Sequence, residues 1–193
     1  MLLIGDDIFL ALDACERHLR AHERCHTEQV AVLGFTTWDP SLKITPLMKW
    51  MERSGVQFGY PKIAACAQDF IPKEKQHWFT YTSHISLPAK VLYQNKFRED
   101  VPLYGWEDME WGKRLADAGV GLFYEPGAKA YHHHAYTDAE VWRRSELLGV
   151  SAKRMEGLLF VGAARERPLH NPRQVCLYTP PRVHRLAPRL KTN

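Results

Sequence analysis

Tyr104-Gly-Trp-Glu-Asp-Met-Glu-Trp-Gly-Lys-Arg-Leu115 is the stretch on which the reading of this chain turns. The free N–H groups and positive dipole end of a helix favour acids in its first turn, so Gly105 and the acids behind it predict a helix start. Glu107 and Trp111 fall one turn apart, as do Glu110 and Arg114, the second pair in the favourable acid-before-base order. Trp111, Leu115 and Ala118 share a face that can be buried. Glu107 and Asp108 are left at the helix mouth, beside a glycine and two aromatics. A carboxylate held there by N–H groups stays ionised and suits a general base or a metal ligand. The same residues also make an ordinary acid-capped amphipathic helix.

Downstream, Gly119 is placed to close this helix as a C-cap glycine. Residues 120–125 predict a strand, Pro126-Gly127 a turn, and residues 128–131 a brief extended piece that reaches His132-His133-His134. Asp138 caps a final amphipathic helix over residues 138–160, with Val141, Leu148, Met155 and Leu159 inward.

Upstream, the apolar residues 1–4 stop at Gly5-Asp6-Asp7 and predict a buried strand that delivers two carboxylates to its C-terminal edge. Ligands of open α/β sheets gather at that edge, and neighbouring carboxylates bind divalent cations through oxygen. A turn followed by a helix cap is the competing reading. A helix follows over residues 10–26, with Leu12, Cys15, Leu19 and His22 or Glu23 in step along one side and Arg17, Arg20 and Arg24 toward solvent. Residues 30–34 predict a short strand, 35–42 a loop, and 45–54 a helix opened by Pro46. Residues 55–76 predict an irregular, substrate-facing insertion, 77–83 a strand, and 86–95 a short helix.

Composition sets the outer limits. The chain has 193 residues, 45% hydrophobic and 25% charged, as expected of one globular domain. No apolar run approaches the roughly 20 residues that cross a bilayer, and the short apolar start lacks the basic leader of a signal peptide. Cys15, Cys25, Cys66 and Cys176 show no metal or disulfide spacing, so a cytoplasmic setting is expected. Residues 165–193 carry a net +6, which leaves the rest of this +4 chain at −2. Five prolines make residues 161–193 a basic, solvated tail and not a nucleic-acid arm, and its basic residues are too spread out to indicate membrane association.

Three clusters thus fall at element ends: Asp6/Asp7, Glu107/Asp108 and His132 to His134. Carboxylates with imidazole are a suitable donor set for Mn²⁺. The order of these motifs resembles family-2 glycosyltransferases with a GT-A fold. Leu3-Ile-Gly-Asp-Asp-Ile8 is similar to that family's metal-binding Asp motif. His18-Leu19, His22, Val32-Leu-Gly34, Trp38, Pro40 and Met48 to Trp50 recur in the order of one of its branches. Phe79-Thr-Tyr-Thr-Ser-His-Ile-Ser-Leu87 resembles its Thr-Ser/Ala-Asn-x-Ser strand, with His84 in place of Asn. Trp106 to Leu115 resembles the Glu-Asp segment that supplies the catalytic base, and Gly119 to His134 the aromatic strand, Pro and closing His that follow.

The resemblance spans residues 1–160 and implies an α/β GT-A-like mixed sheet with flanking helices. It implies an inverting transfer from a UDP- or GDP-linked nucleotide sugar to a saccharide or other hydroxyl acceptor, with Mn²⁺ or Mg²⁺ as cofactor. By the same resemblance, Asp108 is the base with Glu107 in support. Asp6, Asp7 and Arg114 face the donor diphosphate, and Asp7, His132 and His134 face the metal. Trp38, Trp106 and His84 lie on the acceptor side. The family's donor-binding first half has no counterpart here, so weak turnover and self-association through an open strand edge are expected of the chain as given. A metal-dependent phosphohydrolase and a non-catalytic interaction module are the alternatives.

Overall fold

Hydrophobic alternation along Val30-Ala-Val-Leu builds the centre of the molecule: Val30 and Val32 face one side of a sheet, Ala31 and Leu33 the other, and all four are buried. The computed structural model describes residues 1–100 and 105–163, with side chains through residue 152. The strands are β1 (Leu2–Ile4), β2 (Ile8–Leu10), β3 (Val30–Trp38), β4 (Asp69–Ile71), β5 (His84–Ser86) and β6 (Gly121–His132). The helices are α1 (Ala14–Cys25), α2 (Pro46–Ser54), α3 (Ala89–Gln94), α4 (Glu107–Asp117) and α5 (Asp138–Ala163). Hydrogen bonding orders the sheet β1-β5-β3-β6-β2, with β4 on the same side of β6 as β2. Among the described residues only β3 and β6 pair in parallel, so this is a mixed α/β sheet with flanking helices. Among the described residues no helix is long and apolar enough to cross a membrane.

The larger core lies under α2 and α4, where Leu33, Ile85, Met48, Met51, Trp111 and Leu115 are fully buried. Trp111 and Leu115 share the expected face, while Ala118 is exposed. Gly119, at φ 81°, ends the helix in the left-handed conformation that glycine adopts without a Cβ penalty.

Several expectations are corrected. On α1 the buried face is Ala14, His18 and Ala21, and Leu12, Cys15 and Leu19 are exposed. The helix is turned so that His18 can join polar side chains of the sheet. The predicted loop from residue 35 is strand as far as Trp38, because Phe35 to Trp38 find partners in Lys129 to His132. Pro126 and Gly127 do not end β6. They sit in a bulge where the β3 register jumps from Gly34–Glu125 to Phe35–Lys129, which suits a residue without an N–H. Residues 77–83 are not a strand: Gln76–Phe79 is a 3₁₀ turn packed on α4, and pairing begins at His84. β1 is only half-buried, with Ile4 exposed. The predicted tail, and the inward positions Met155 and Leu159, lie outside the described residues or side chains.

Beneath α1 runs a continuous chain of polar side chains. His22 Nε2 meets Ser86 Oγ at 2.9 Å, and Ser86 Oγ meets His18 Nδ1 at 2.8 Å. His18 Nε2 faces His84 Nε2 at 3.1 Å, and His84 Nδ1 faces Thr36 Oγ1 at 3.2 Å. Neutral imidazoles give one bond and take one, which satisfies every ring nitrogen in the buried pair. Gly34 makes room for this arrangement, since a Cβ there would lie 2.2 Å from the His84 ring. Gly34→Ala is therefore expected to lose about 3 kcal/mol, the upper range for overpacking a core. Gly149→Ala, on an open face of α5, should be neutral or slightly stabilising. Urea midpoints of the two variants check this, and equal midpoints would refute the close fit at Gly34.

Candidate metal and acid–base site

Strand directions bring the chemistry to one edge of the sheet. β1 and β3 are both antiparallel to β5, and β6 is parallel to β3, so the C-terminal ends of β1, β3 and β6 coincide. That is the edge at which α/β sheets collect ligands. Asp7 follows β1 there and is pinned by its backbone, because its carbonyl accepts the His133 N–H at 2.8 Å while Ile8 pairs with His132.

Strand alternation sorts the three histidines. His132 and His134 turn to Asp7, with His132 Nε2 at 2.9 Å and His134 Nδ1 at 3.6 Å from the same carboxylate oxygen, Oδ2. His133 points the other way and meets Asp39 Oδ2 at 2.7 Å. One donor atom from each of Asp7, His132 and His134 lies within 4.8 Å of the others. His132 is buried between the ring of Trp38, stacked at 5.5 Å, and that of His134 at 5.6 Å. Burial holds the His132 imidazole below its ordinary pKa although Asp7 pulls it up, so the ring is neutral at pH 7, the form that binds metals. Its Nδ1 is buried without a hydrogen-bond partner.

Asp108 lies in the first turn of α4, but the groups that hold it belong to another segment. The Thr82 N–H donates to its Oδ2 at 3.2 Å and the Thr82 hydroxyl to its Oδ1 at 2.6 Å. Burial raises its carboxyl to about 6, nearby Glu107 pushes the same way, and the two Thr82 bonds oppose them. The expectation that N–H groups of its own helix hold this carboxylate is corrected, since its partners belong to Thr82. At pH 7 Asp108 is still mostly ionised, with a basicity that suits proton abstraction. Thr82 also links the two clusters. The next residue, Ser83, accepts the Gly5 N–H through its carbonyl at 3.1 Å, and Gly5 precedes the Asp6-Asp7 pair. Asp108 and Asp7 thus flank the same β1–β5 end.

The remaining candidates divide. Asp6 and Glu107 are exposed beside Asp7 and Asp108. Arg114 grips the buried Glu110 through two bonds of 2.8 and 3.0 Å, which ties it to its own helix. Trp38 is buried and its indole N–H donates to the Met48 carbonyl, which removes it from an acceptor surface. His84 is fully buried with His18 and is likewise out of reach. Trp106 is half-buried, with its N–H on the Leu148 carbonyl of α5, at the mouth of α4. Thr82 was not legible as a site residue, although it lies within the strand-like segment before His84. Tyr136, whose ring sits 4.4 Å from that of His134, was also missed, and only its nearness to the histidine run could have suggested it. A shallow apolar groove lined by Phe70, Pro72 and Gly119 lies at the opposite end of β6, away from these groups.

Compared with known protein families the chain matches no family model, and no curated protein matches it.

Proposed function

We propose that this chain is a metal-dependent, inverting glycosyltransferase of GT-A type, moving a sugar from a UDP- or GDP-linked donor to an acceptor hydroxyl. The observation that carries this reading is the placement of a carboxylate–imidazole cluster and a separate, half-buried carboxylate of raised basicity along one sheet edge. Asp7, His132 and His134 would hold the cation, and two imidazoles with one carboxylate suit Mn²⁺ better than Mg²⁺. The bound ion supplies positive charge for a leaving diphosphate. Asp108, oriented by Thr82, accepts the proton of the acceptor hydroxyl, and exposed Glu107 meets the acceptor at the helix mouth. Asp6 faces the donor beside Asp7. The free thiols of Cys15, Cys25 and Cys66 accord with a cytoplasmic setting.

The test begins with the metal. Mn²⁺ binding followed by electron paramagnetic resonance should weaken about 100-fold or more in Asp7→Asn and His132→Ala, since losing a ligand exceeds the 10–100-fold cost of losing a ligand's supporting bond. Unchanged Mn²⁺ affinity in both variants would end the metal assignment. Nucleotide release from UDP- and GDP-sugars, measured with Mn²⁺ and a panel of hydroxyl acceptors, then addresses transfer. Phosphate release from simple phosphoesters without sugar transfer would point to a phosphohydrolase instead.

A further inference from the structure

We propose that Phe9, His133 and Asp39 form a saccharide subsite on the sheet face opposite the Asp7–His132–His134 cluster, one that takes an uncharged pyranose unit. The inference stands apart from the cation reading, because none of the three residues belongs to that cluster. Strand alternation builds the corner. Ile8 and Trp38 both lie in register with His132, and all three are buried on one face. Phe9, Asp39 and His133 are the next residues of their segments and turn to the other face. The Phe9 ring is 54% exposed and stands 5.5 Å from that of His133 at 68°, so the two rings wall a corner and do not close as a stack.

Asp39 sets the chemistry of this corner. The Ser41 N–H donates to its Oδ1 at 2.8 Å, and its Oδ2 lies 2.7 Å from His133 Nδ1. A carboxylate only accepts, so the imidazole carries a proton on Nδ1 and leaves Nε2 to meet a hydroxyl. The His133 side chain is half-exposed, while that of Asp39 is mostly covered. The backbone is equally fixed, with the Asp39 N–H on the His132 carbonyl at 3.1 Å and the His133 N–H on the Asp7 carbonyl at 2.8 Å. An open apolar ring thus stands beside an oriented imidazole and its carboxylate. The complement is a ligand with an apolar face, hydroxyls at its rim and no negative charge for Asp39 to repel. A neutral pyranose meets all three conditions, with C–H groups for Phe9 and hydroxyls for Nε2 and the Asp39 lone pairs.

The probes are neutral tetrasaccharides of glucose, mannose, galactose and N-acetylglucosamine, with tetragalacturonate as the anionic counterpart. Each is titrated by saturation-transfer NMR into the full chain, Phe9→Ala and His133→Gln. The full chain should bind at least one neutral probe with a dissociation constant of about 1 mM or tighter. Each variant should bind that probe about 5- to 10-fold more weakly, the upper range for one aromatic contact or one hydrogen bond. Phe9→Ala only trims an exposed ring, so its circular dichroism should match the parent and its Mn²⁺ affinity should stay within about twofold. No neutral probe bound, unchanged affinity in either variant, or preference for tetragalacturonate would overturn the subsite. If the full chain binds no Mn²⁺ the cation reading falls, and the saccharide titrations still decide this corner.

Discussion

Lowering the pH from 7 to 5 is expected to remove about 3 kcal/mol of stability, a large part of what a domain of this size has. The source is the buried pair His18 and His84. Burial lowers His18 to about 3 and His84 to about 4, against 6.5 when exposed, and the facing ring adds to the effect at His18. In such a case the unfolded chain takes up protons first, so stability present above pH 6.5 is lost progressively as pH falls toward the folded values. Each ring contributes about 2 kcal/mol by pH 5. Asp108 works in the opposite sense. Its carboxyl is raised, so its burial costs most at high pH and gives back about 1 kcal/mol over the same interval. His22 and His132, both lowered by burial, add to the loss. The geometry agrees, since protonating both rings would set two N–H groups against each other across 3.1 Å. Urea unfolding at pH 7, 6 and 5 measures the slope. A midpoint that does not move would show that the polar chain under α1 admits water or rearranges.

Asp108→Asn should lower sugar transfer by about 10²–10⁴-fold, the usual contribution of a positioned base. Asparagine keeps the shape and can still accept from the Thr82 hydroxyl, so Mn²⁺ affinity at Asp7 and its histidines should stay within about twofold. The loss belongs in the chemical step, with kcat and kcat/KM falling together. Because the parent carboxyl sits near 6, activity should fall below that pH as the base is protonated, and the variant should lack this limb. Full turnover by Asp108→Asn would remove Asp108 from the reaction. Loss of Mn²⁺ binding alongside activity would instead make it part of the metal site.

Much of the framework was legible in the residues. Short-range signals survived folding: the acidic first turn and closing glycine of α4, Pro46 at the start of α2, and the Asp138 start of α5. These depend on groups within one or two turns of each other, so tertiary packing had little to override. The alternation that sends His132 and His134 to one side and His133 to the other is also local. Errors fell where a partner distant in sequence decides. Phe35 to Trp38 became strand because Lys129 to His132 lie alongside, and Pro126 and Gly127 became a bulge because β6 continues on the far side of them. α1 is rotated away from its leucines because His18 has a polar chain to join, and a buried imidazole needs partners more than an exposed leucine needs cover. The candidate site follows the same division. The sequence by itself determined which residues carry carboxylate and imidazole chemistry and that they stand at element ends. Only the tertiary structure could bring Asp7 to two histidines 125 and 127 positions away, give Asp108 to Thr82 and tie His18 to His84, because each depends on which elements pack together.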